Sequence, residues 1–223
     1  MTKYLLPAIE RRGYAERKLK SSDFNFVKKT ATGEDVIVGG FTDFNPRQKI
    51  IYSFMKRHKT ILAILLQLQK NGAKLTPPIG KNTGTIGFSY CTIHDIRKDT
   101  ELTTMQTEEE VKQRVGSMVS FMEETAFPLM DKFEDLREQD RIINGEDPWQ
   151  MDGLKPYPLG GNFHLKRLII ARLAGLGSYE RILDFVREDY TSRFNGEYGH
   201  SFRVALDEVE ELNRVLAGVK PLY

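Results

Sequence analysis

The sequence contains few of the residues that build disulfide or metal frameworks. Its 223 residues include one cysteine, one tryptophan and four histidines. One cysteine cannot form an internal disulfide, and it cannot supply a cysteine-based zinc or iron–sulfur site. No histidine has a second histidine two to four residues away, so no local pair of metal ligands is present. We therefore predict a protein without a metal or another cofactor.

Long apolar segments are missing as well. The most apolar run covers residues 61–68 and is too short to cross a bilayer. The apolar segment near the N-terminus is too short for the core of a signal peptide, and Glu10, Arg11 and Arg12 follow it directly. A hydrophobic fraction of 40% with 29% charged residues is typical of a globular protein. These features predict a cytoplasmic protein without membrane contact.

The formal net charge of +2 conceals an uneven distribution along the chain. Residues 1–105 hold 18 Lys and Arg against 9 Asp and Glu, whereas residues 106–223 hold 15 against 22. We predict a basic region over 1–105 and an acidic helical region over 106–223, packed as one continuous body. Opposed charges could steer a charged partner. Alternatively, acidic runs such as Glu108–Glu110 and Asp207–Glu211 are solvated helix faces.

The spacing of apolar residues predicts an α+β fold. A short helix over residues 3–12 precedes segments in which apolar and polar residues alternate, and their short connections favour a mainly antiparallel, four-stranded sheet with covering helices. Residues 61–68 change to a helical period. The predicted strands lie within residues 24–27, 36–44, 50–54 and 85–94.

The C-terminal half is predicted to be helical. Thr107 and Glu110 form a capping-box pattern that begins the first helix, and Pro128 should break or kink it. Further helices are predicted over residues 162–175, after an N-cap at Ser178, and over residues 201–217.

The segment 146–161 differs from an ordinary linker because it carries several apolar side chains, among them Trp149 and Tyr157. It is either a loop that packs over the helices or a binding loop. In the second case we expect Trp149 and Tyr157 to contact a partner protein. The basic side chains Lys56, Arg57 and Lys59 form the other predicted partner-binding patch.

Gly160, Gly161 and Asn162 open a helix whose first turns carry basic side chains. Free N–H groups at a helix start, together with His164, Lys166 and Arg167, could bind an anion. The alternative is that Asn162 acts as an ordinary N-cap, which by itself accounts for the pattern.

Two other candidate motifs, a phosphate-binding loop and a Cys–His pair, do not have the required spacing. Residues 80–84 resemble a phosphate-binding loop, but the first glycine of that motif and the following helix are missing. Cys91 and His94 would point to opposite faces of a strand. We therefore predict no catalytic residues. The alternative is an enzyme whose site is assembled from dispersed residues, which a cleft holding carboxylates or histidines with shifted pKa values would favour.

Nucleic-acid binding is a further alternative. The basic N-terminal half carries aromatic residues on its predicted strands, and exposed aromatic rings could stack on bases. The same alternation with polar residues is typical of a sheet that packs its apolar face on a core. These residues are Phe24, Phe26, Tyr52 and Phe54.

The order of motifs resembles that of certain small bacterial domains of unknown function. A short helix ends in Arg12-Gly13-Tyr14, a strand reads Phe24-Asn25-Phe26, and a helix opens with Thr107 and three glutamates. The segment 121–133 is similar in character. Some of those domains are thought to bind proteins, for example in immunity to toxins. The resemblance implies a bacterial protein of the non-catalytic, protein-binding kind, and it supplies no site residues.

Overall fold

The computed structural model describes residues 2–18, 24–44, 47–80, 83–89, 107–145 and 161–223. The fold is α+β, with an antiparallel sheet of five strands and a helical C-terminal half. The chain divides into two compact units that are discontinuous in sequence. Unit 1 comprises Met1–Arg57, Ile86–Glu134 and Asp152–Pro156, and unit 2 comprises His58–Thr85, Asp135–Met151 and Tyr157–Tyr223. Both units therefore contain residues from either side of residue 105.

The sheet is a meander in which the strands lie side by side in chain order. Its strands are β1 (Ala15–Glu16), β2 (Phe24–Lys29), β3 (Gly33–Phe44), β4 (Arg47–His58) and β5 (Ile86–Ser89). β2 pairs antiparallel with β1 and with β3, and β4 pairs antiparallel with β5. The sequence-based count of four strands missed β1, because two exposed residues are too few to show an alternating pattern.

The helices account for most of the chain from residue 107 onwards. They are α1 (Thr2–Glu10), α2 (Lys59–Lys70), α3 (Glu108–Phe121), α4 (Phe127–Lys132), α5 (Leu136–Asn144), α6 (Phe163–Ala174), α7 (Tyr179–Ser192) and α8 (Gly199–Ala217). The capping box predicted for α3 is present: the Glu110 amide donates to the Thr107 hydroxyl, and the Thr107 amide donates to the Glu110 carboxylate. No described helix is both long and apolar enough to cross a membrane.

The predicted break at Pro128 takes the form of a π-helical turn. Residues Met122–Ala126 join α3 to α4, and the Phe127 amide donates to the Met122 carbonyl five residues earlier. Proline lacks an N–H and its ring crowds the carbonyl four residues before it. Widening the turn before Pro128 therefore lets the helix continue into α4.

Unit 1 has an aromatic core. Four consecutive residues of β2, Phe24 to Val27, are buried, so both faces of this strand are covered. The rings of Phe54 and Phe88 stack at 5.2 Å on neighbouring strands. Phe24, Phe26, Tyr52 and Phe54 are all at most 7% exposed, so these rings present no surface on which bases could stack.

Unit 2 is a helical unit built around α6. Residues 165–171 of α6 are all buried, as expected for a helix surrounded by others. The apolar stripe of α2 (Ile61, Ile64, Leu65 and Leu68) belongs to the same core. α5, α7 and α8 also contribute to this core, as do Leu75 and Ile79 of the loop that follows α2.

Candidate functional site

Lys56, one of the predicted partner contacts, lies in the interior of unit 1. Its side chain is 1% exposed, and its ammonium donates to Asp35 Oδ1 at 2.7 Å and forms an ion pair with Glu134. Burial raises the pKa of Asp35. Burial alone would also raise the pKa of Glu134, but hydrogen bonds from Lys56 and from the Thr32 amide outweigh it and lower that pKa to about 2. The charge of Lys56 is therefore held by two carboxylates inside unit 1, and partner binding by Lys56 stays a prediction.

The other predicted partner contacts differ in their exposure to solvent, and two of them are not described by the structure. Arg57 is partly buried and donates to Glu34 Oε2 at 2.6 Å, while Lys59 is exposed at the start of α2. Trp149 and Tyr157 lie outside the described residues. Partner binding at these positions stays a prediction.

The three residues of the predicted anion site do not line one surface. Lys166 is buried, and burial lowers its pKa to about 8. Arg167 is also buried and donates from Nε to Asn144 Oδ1 at 2.9 Å. His164 alone among the three lines a cavity. Anion binding by the three residues together stays a prediction.

The start of α6 is fixed by an unusual close approach. Cβ of any residue other than glycine at position 161 would lie 2.0 Å from the Thr76 carbonyl oxygen, so only glycine fits. Asn162 has a φ of 64°, and its side chain donates to the Pro77 carbonyl at 3.0 Å instead of capping α6. Asparagine tolerates this left-handed conformation better than most residues. Gly161 and Asn162 thus fix the loop at Thr76 and Pro77 beside the first turn of α6, which carries His164.

A cavity of about 500 Å³ lies within unit 2, beside this helix start. Its volume is in the range of small-molecule sites. Three separate stretches of chain contribute to its wall, at residues 74–76, 162–165 and 190–208. The lining residues are Lys74, Thr76, Asn162, Phe163, His164, Leu165, Tyr190, His200, Ser201, Val204, Ala205 and Glu208.

His164 is held in this wall by aromatic contacts. Its ring meets the Tyr190 ring edge-on at 5.3 Å and the Phe163 ring at 5.1 Å. Burial, together with the nearby charge of Arg167, lowers the pKa of His164 to about 4, so the imidazole is neutral at pH 7. Among the described residues its buried Nδ1 has no hydrogen-bond partner. The hydrogen-bonding capacity of that nitrogen is therefore left unsatisfied by the described residues.

Glu208 is the acidic residue of the cavity wall. It lies on the face of α8 that also carries Ser201, Val204 and Ala205. Its Oε1 is buried and finds no hydrogen-bond partner among the described residues, and burial raises its pKa. A buried carboxyl oxygen without a partner costs free energy unless a ligand or water satisfies it.

Tyr190 stands between these two groups. Burial raises the pKa of its phenol to about 12, with Asp189 and Glu208 adding to the effect. The hydroxyl is therefore protonated and can donate or accept. Lys74, His200 and Ser201 are exposed, so they add polar groups where the cavity meets solvent.

The beginning of α8, like that of α6, depends on a glycine at a close approach of the backbone. At Gly199 a side chain would bring Cβ to within 1.9 Å of the Phe194 carbonyl oxygen, so glycine is required. The next two residues, His200 and Ser201, then line the cavity. Of these cavity residues, His164 is predicted from the sequence as a site residue, whereas Glu208 and Tyr190 are not, since neither belongs to a local motif.

The cavity has no metal-ligand cluster. Within the described ranges no group of three or more His, Cys, Asp or Glu side chains is placed to hold a metal ion. No family model, curated protein or solved structure matches the chain. The resemblance to small bacterial domains of unknown function therefore stays a prediction, and function is inferred from the cavity residues themselves.

Proposed function

We propose that this protein binds a small polar molecule in the cavity of unit 2. One observation carries the proposal: two residues that line the cavity, His164 and Glu208, each hold a buried polar atom, Nδ1 and Oε1, that has no partner in the described part of the chain. Buried polar groups are otherwise almost always hydrogen-bonded, and exceptions mark functional sites or bound water. A ligand with a donor group at one end would bind the Glu208 carboxylate.

The wall suits a ligand with an apolar body. Phe163, Leu165, Val204 and Ala205 provide apolar surface, while the polar groups are few. This combination is typical of small-molecule sites, in which apolar contacts supply affinity and a few polar groups set orientation.

Filling the cavity tests the proposal. Benzyl alcohol, which combines an apolar ring with one hydroxyl, should give saturable chemical-shift changes in the protein spectrum. Ala205→Trp places a large ring in the cavity wall and should abolish them. Ala217→Trp, on the exposed end of the same helix, should leave them unchanged. Equal binding by the two folded variants would refute the proposal, and so would the absence of binding by the unmodified protein.

Acid–base catalysis in the same cavity is a second candidate function. A neutral imidazole at His164 and a carboxyl of raised pKa at Glu208 are the paired groups that such chemistry uses. This observation favours an enzyme assembled from dispersed residues. Conversion of a bound compound that stops in both His164→Asn and Glu208→Gln would support it, and turnover that survives both changes would exclude it.

The protein-binding role expected from the sequence remains a prediction. Its strongest candidates, Trp149 and Tyr157, lie outside the described residues, and Lys56 is used inside unit 1. The stacking of bases on the aromatic rings of the strands, which the nucleic-acid alternative used, is not supported, because those rings are buried.

A further inference from the structure

The acidic side chains of α7 and α8 fall into two groups. Four of the eight pair with an arginine close by: Asp184 and Glu210 with Arg187 at 3.8 and 2.7 Å, Asp189 with Arg193 at 2.7 Å and Glu211 with Arg214 at 2.6 Å. The other four, Glu180, Glu188, Asp207 and Glu208, have no such pair among the described residues. Three of these four are exposed to solvent, and Glu208 is the one that is partly buried. Because the described residues supply no cation to the partly buried Glu208 carboxylate, a bound ligand could supply one.

Glu208 is also the more buried carboxylate. Its Oε1 is inaccessible to solvent, whereas the Glu210 side chain is 39% exposed and is still paired. Removing a carboxylate from water is costly unless a positive charge or several donors compensate. Burial is the one cause of the raised pKa of Glu208, so no cationic side chain of the described residues relieves it. An exposed charge such as Lys74 is screened by solvent.

Aromatic rings in the cavity wall are also suited to a cationic group. Tyr190 and Phe163 line the cavity, and the faces of such rings attract cations; the Arg167 guanidinium already lies 5.4 Å from the centre of the Phe163 ring, so Tyr190 is the ring proposed for the ligand. His164 adds no opposing charge because its imidazole is neutral. A carboxylate flanked by aromatic rings is a common receptor for ammonium groups.

We infer that the ligand of the unit 2 cavity is a cationic amine whose ammonium group is bound by Glu208. The inference rests on the proposed small-molecule binding and adds the chemical class of the ligand. The ammonium donates to the carboxylate of Glu208, and the apolar part of the amine lies against Leu165, Val204 and Ala205.

Three probes of nearly equal shape test the charge requirement on the unmodified protein. Benzylamine is cationic at pH 7, benzyl alcohol is neutral and benzoate is anionic. We expect benzylamine to bind about tenfold or more tightly than benzyl alcohol, as a charge-assisted hydrogen bond does relative to a neutral one, and benzoate to bind most weakly. Titration calorimetry or chemical-shift titration gives the three dissociation constants.

Two matched variants on α8 test the role of the carboxylate. Glu208→Gln keeps the size of the side chain and should weaken benzylamine binding about tenfold or more, while benzyl alcohol binding changes little. Glu210→Gln removes an equal charge outside the cavity lining and should leave both affinities unchanged. Melting temperatures of both variants establish that they are folded.

The two proposals fail in different ways. If benzyl alcohol binds in a manner that Ala205→Trp blocks, but benzylamine binds no tighter, small-molecule binding stands and the amine class is wrong. Tightest binding by benzoate would also overturn the amine class. Equal effects of Glu208→Gln and Glu210→Gln would do the same, because a general change of charge would then explain them.

Discussion

The two units place polar groups in their interiors in opposite ways. In unit 1 the buried Lys56 is satisfied by Asp35 and Glu134, and Glu134 also accepts from the Thr32 amide. In unit 2 two residues that line a cavity, His164 and Glu208, each hold a buried polar atom without a partner in the described residues. A satisfied buried charge fixes one arrangement of the fold, whereas an unsatisfied group at a cavity is available to a ligand.

The charge balance of the units differs from that of the sequence halves. Over its sequence ranges, unit 1 holds 18 Lys and Arg against 17 Asp and Glu, and unit 2 holds 15 against 14. Each unit thus has a net charge of +1, since each combines basic N-terminal segments with acidic C-terminal ones. The opposed charges of residues 1–105 and 106–223 therefore do not produce one basic and one acidic unit. The electrostatic difference between the units lies instead in individual buried groups, such as the paired Lys56 of unit 1 and the unpaired Glu208 of unit 2.

Removing the central charge of unit 1 should have the largest effect on stability. Lys56→Met leaves the buried carboxyl of Asp35 without its cation, and breaking a buried pair in this way costs about 3–5 kcal/mol. Urea denaturation followed by circular dichroism measures the free energy of unfolding. Lys59→Met removes a lysine from an exposed position and should change that free energy by less than about 0.5 kcal/mol.

The contribution of the uncompensated Asp35 carboxylate to this loss of stability can be measured separately. Adding Asp35→Asn to Lys56→Met removes the uncompensated charge and should recover part of the lost stability. If Lys56→Met were as stable as Lys59→Met, the buried ion pair would not be the stabilising feature of unit 1 that its geometry indicates.

The pH dependence of stability should single out His164 in unit 2. Its folded pKa of about 4 lies below the ordinary value of 6.5, so the fold favours the neutral ring. Stability is therefore complete above pH 6.5 and is lost as the pH falls towards 4, because the unfolded chain takes up the proton first. Between pH 7 and pH 4.5 we expect this residue to account for a loss of about 2–3 kcal/mol.

His164→Phe provides the comparison, since it keeps a ring of similar size but cannot titrate. Urea unfolding at the two pH values should show a smaller decrease for this variant than for the unmodified protein. His200→Phe changes an exposed histidine of the same cavity wall and should preserve the original decrease. An unaltered decrease in His164→Phe would mean that the His164 ring is hydrated and titrates normally.

Local signals predicted local structure well. The capping box at Thr107 and the helical period of α2 need only residues within a few positions, and both are present. Ser178 and Asn162 were predicted as N-caps from the same kind of signal. Their side chains instead bind Asp140 and the Pro77 carbonyl, partners distant in sequence that outcompete the helix ends.

The candidate site was hidden because its residues have no sequence relationship to one another. Glu208 belongs to the acidic run Asp207–Glu211, which reads as a solvated helix face. The fold separates that run: Glu210 and Glu211 pair with arginines, while Glu208 turns to the cavity. Which member of a charged run is buried depends on tertiary packing, and no periodicity in the sequence marks it.

The smallest effect should come from a pair in unit 2 that resembles the unit 1 cluster in chemistry but not in burial. Arg187 donates through Nε and Nη2 to both carboxylate oxygens of Glu210, at 2.7 and 2.8 Å. Both side chains are more than a third exposed, so solvent screens the attraction, and Arg187→Met should cost less than about 1 kcal/mol. Urea unfolding in low and in high salt measures the change, which should shrink as salt is added. A loss as large as that of Lys56→Met would show that bidentate geometry matters more than burial in this protein.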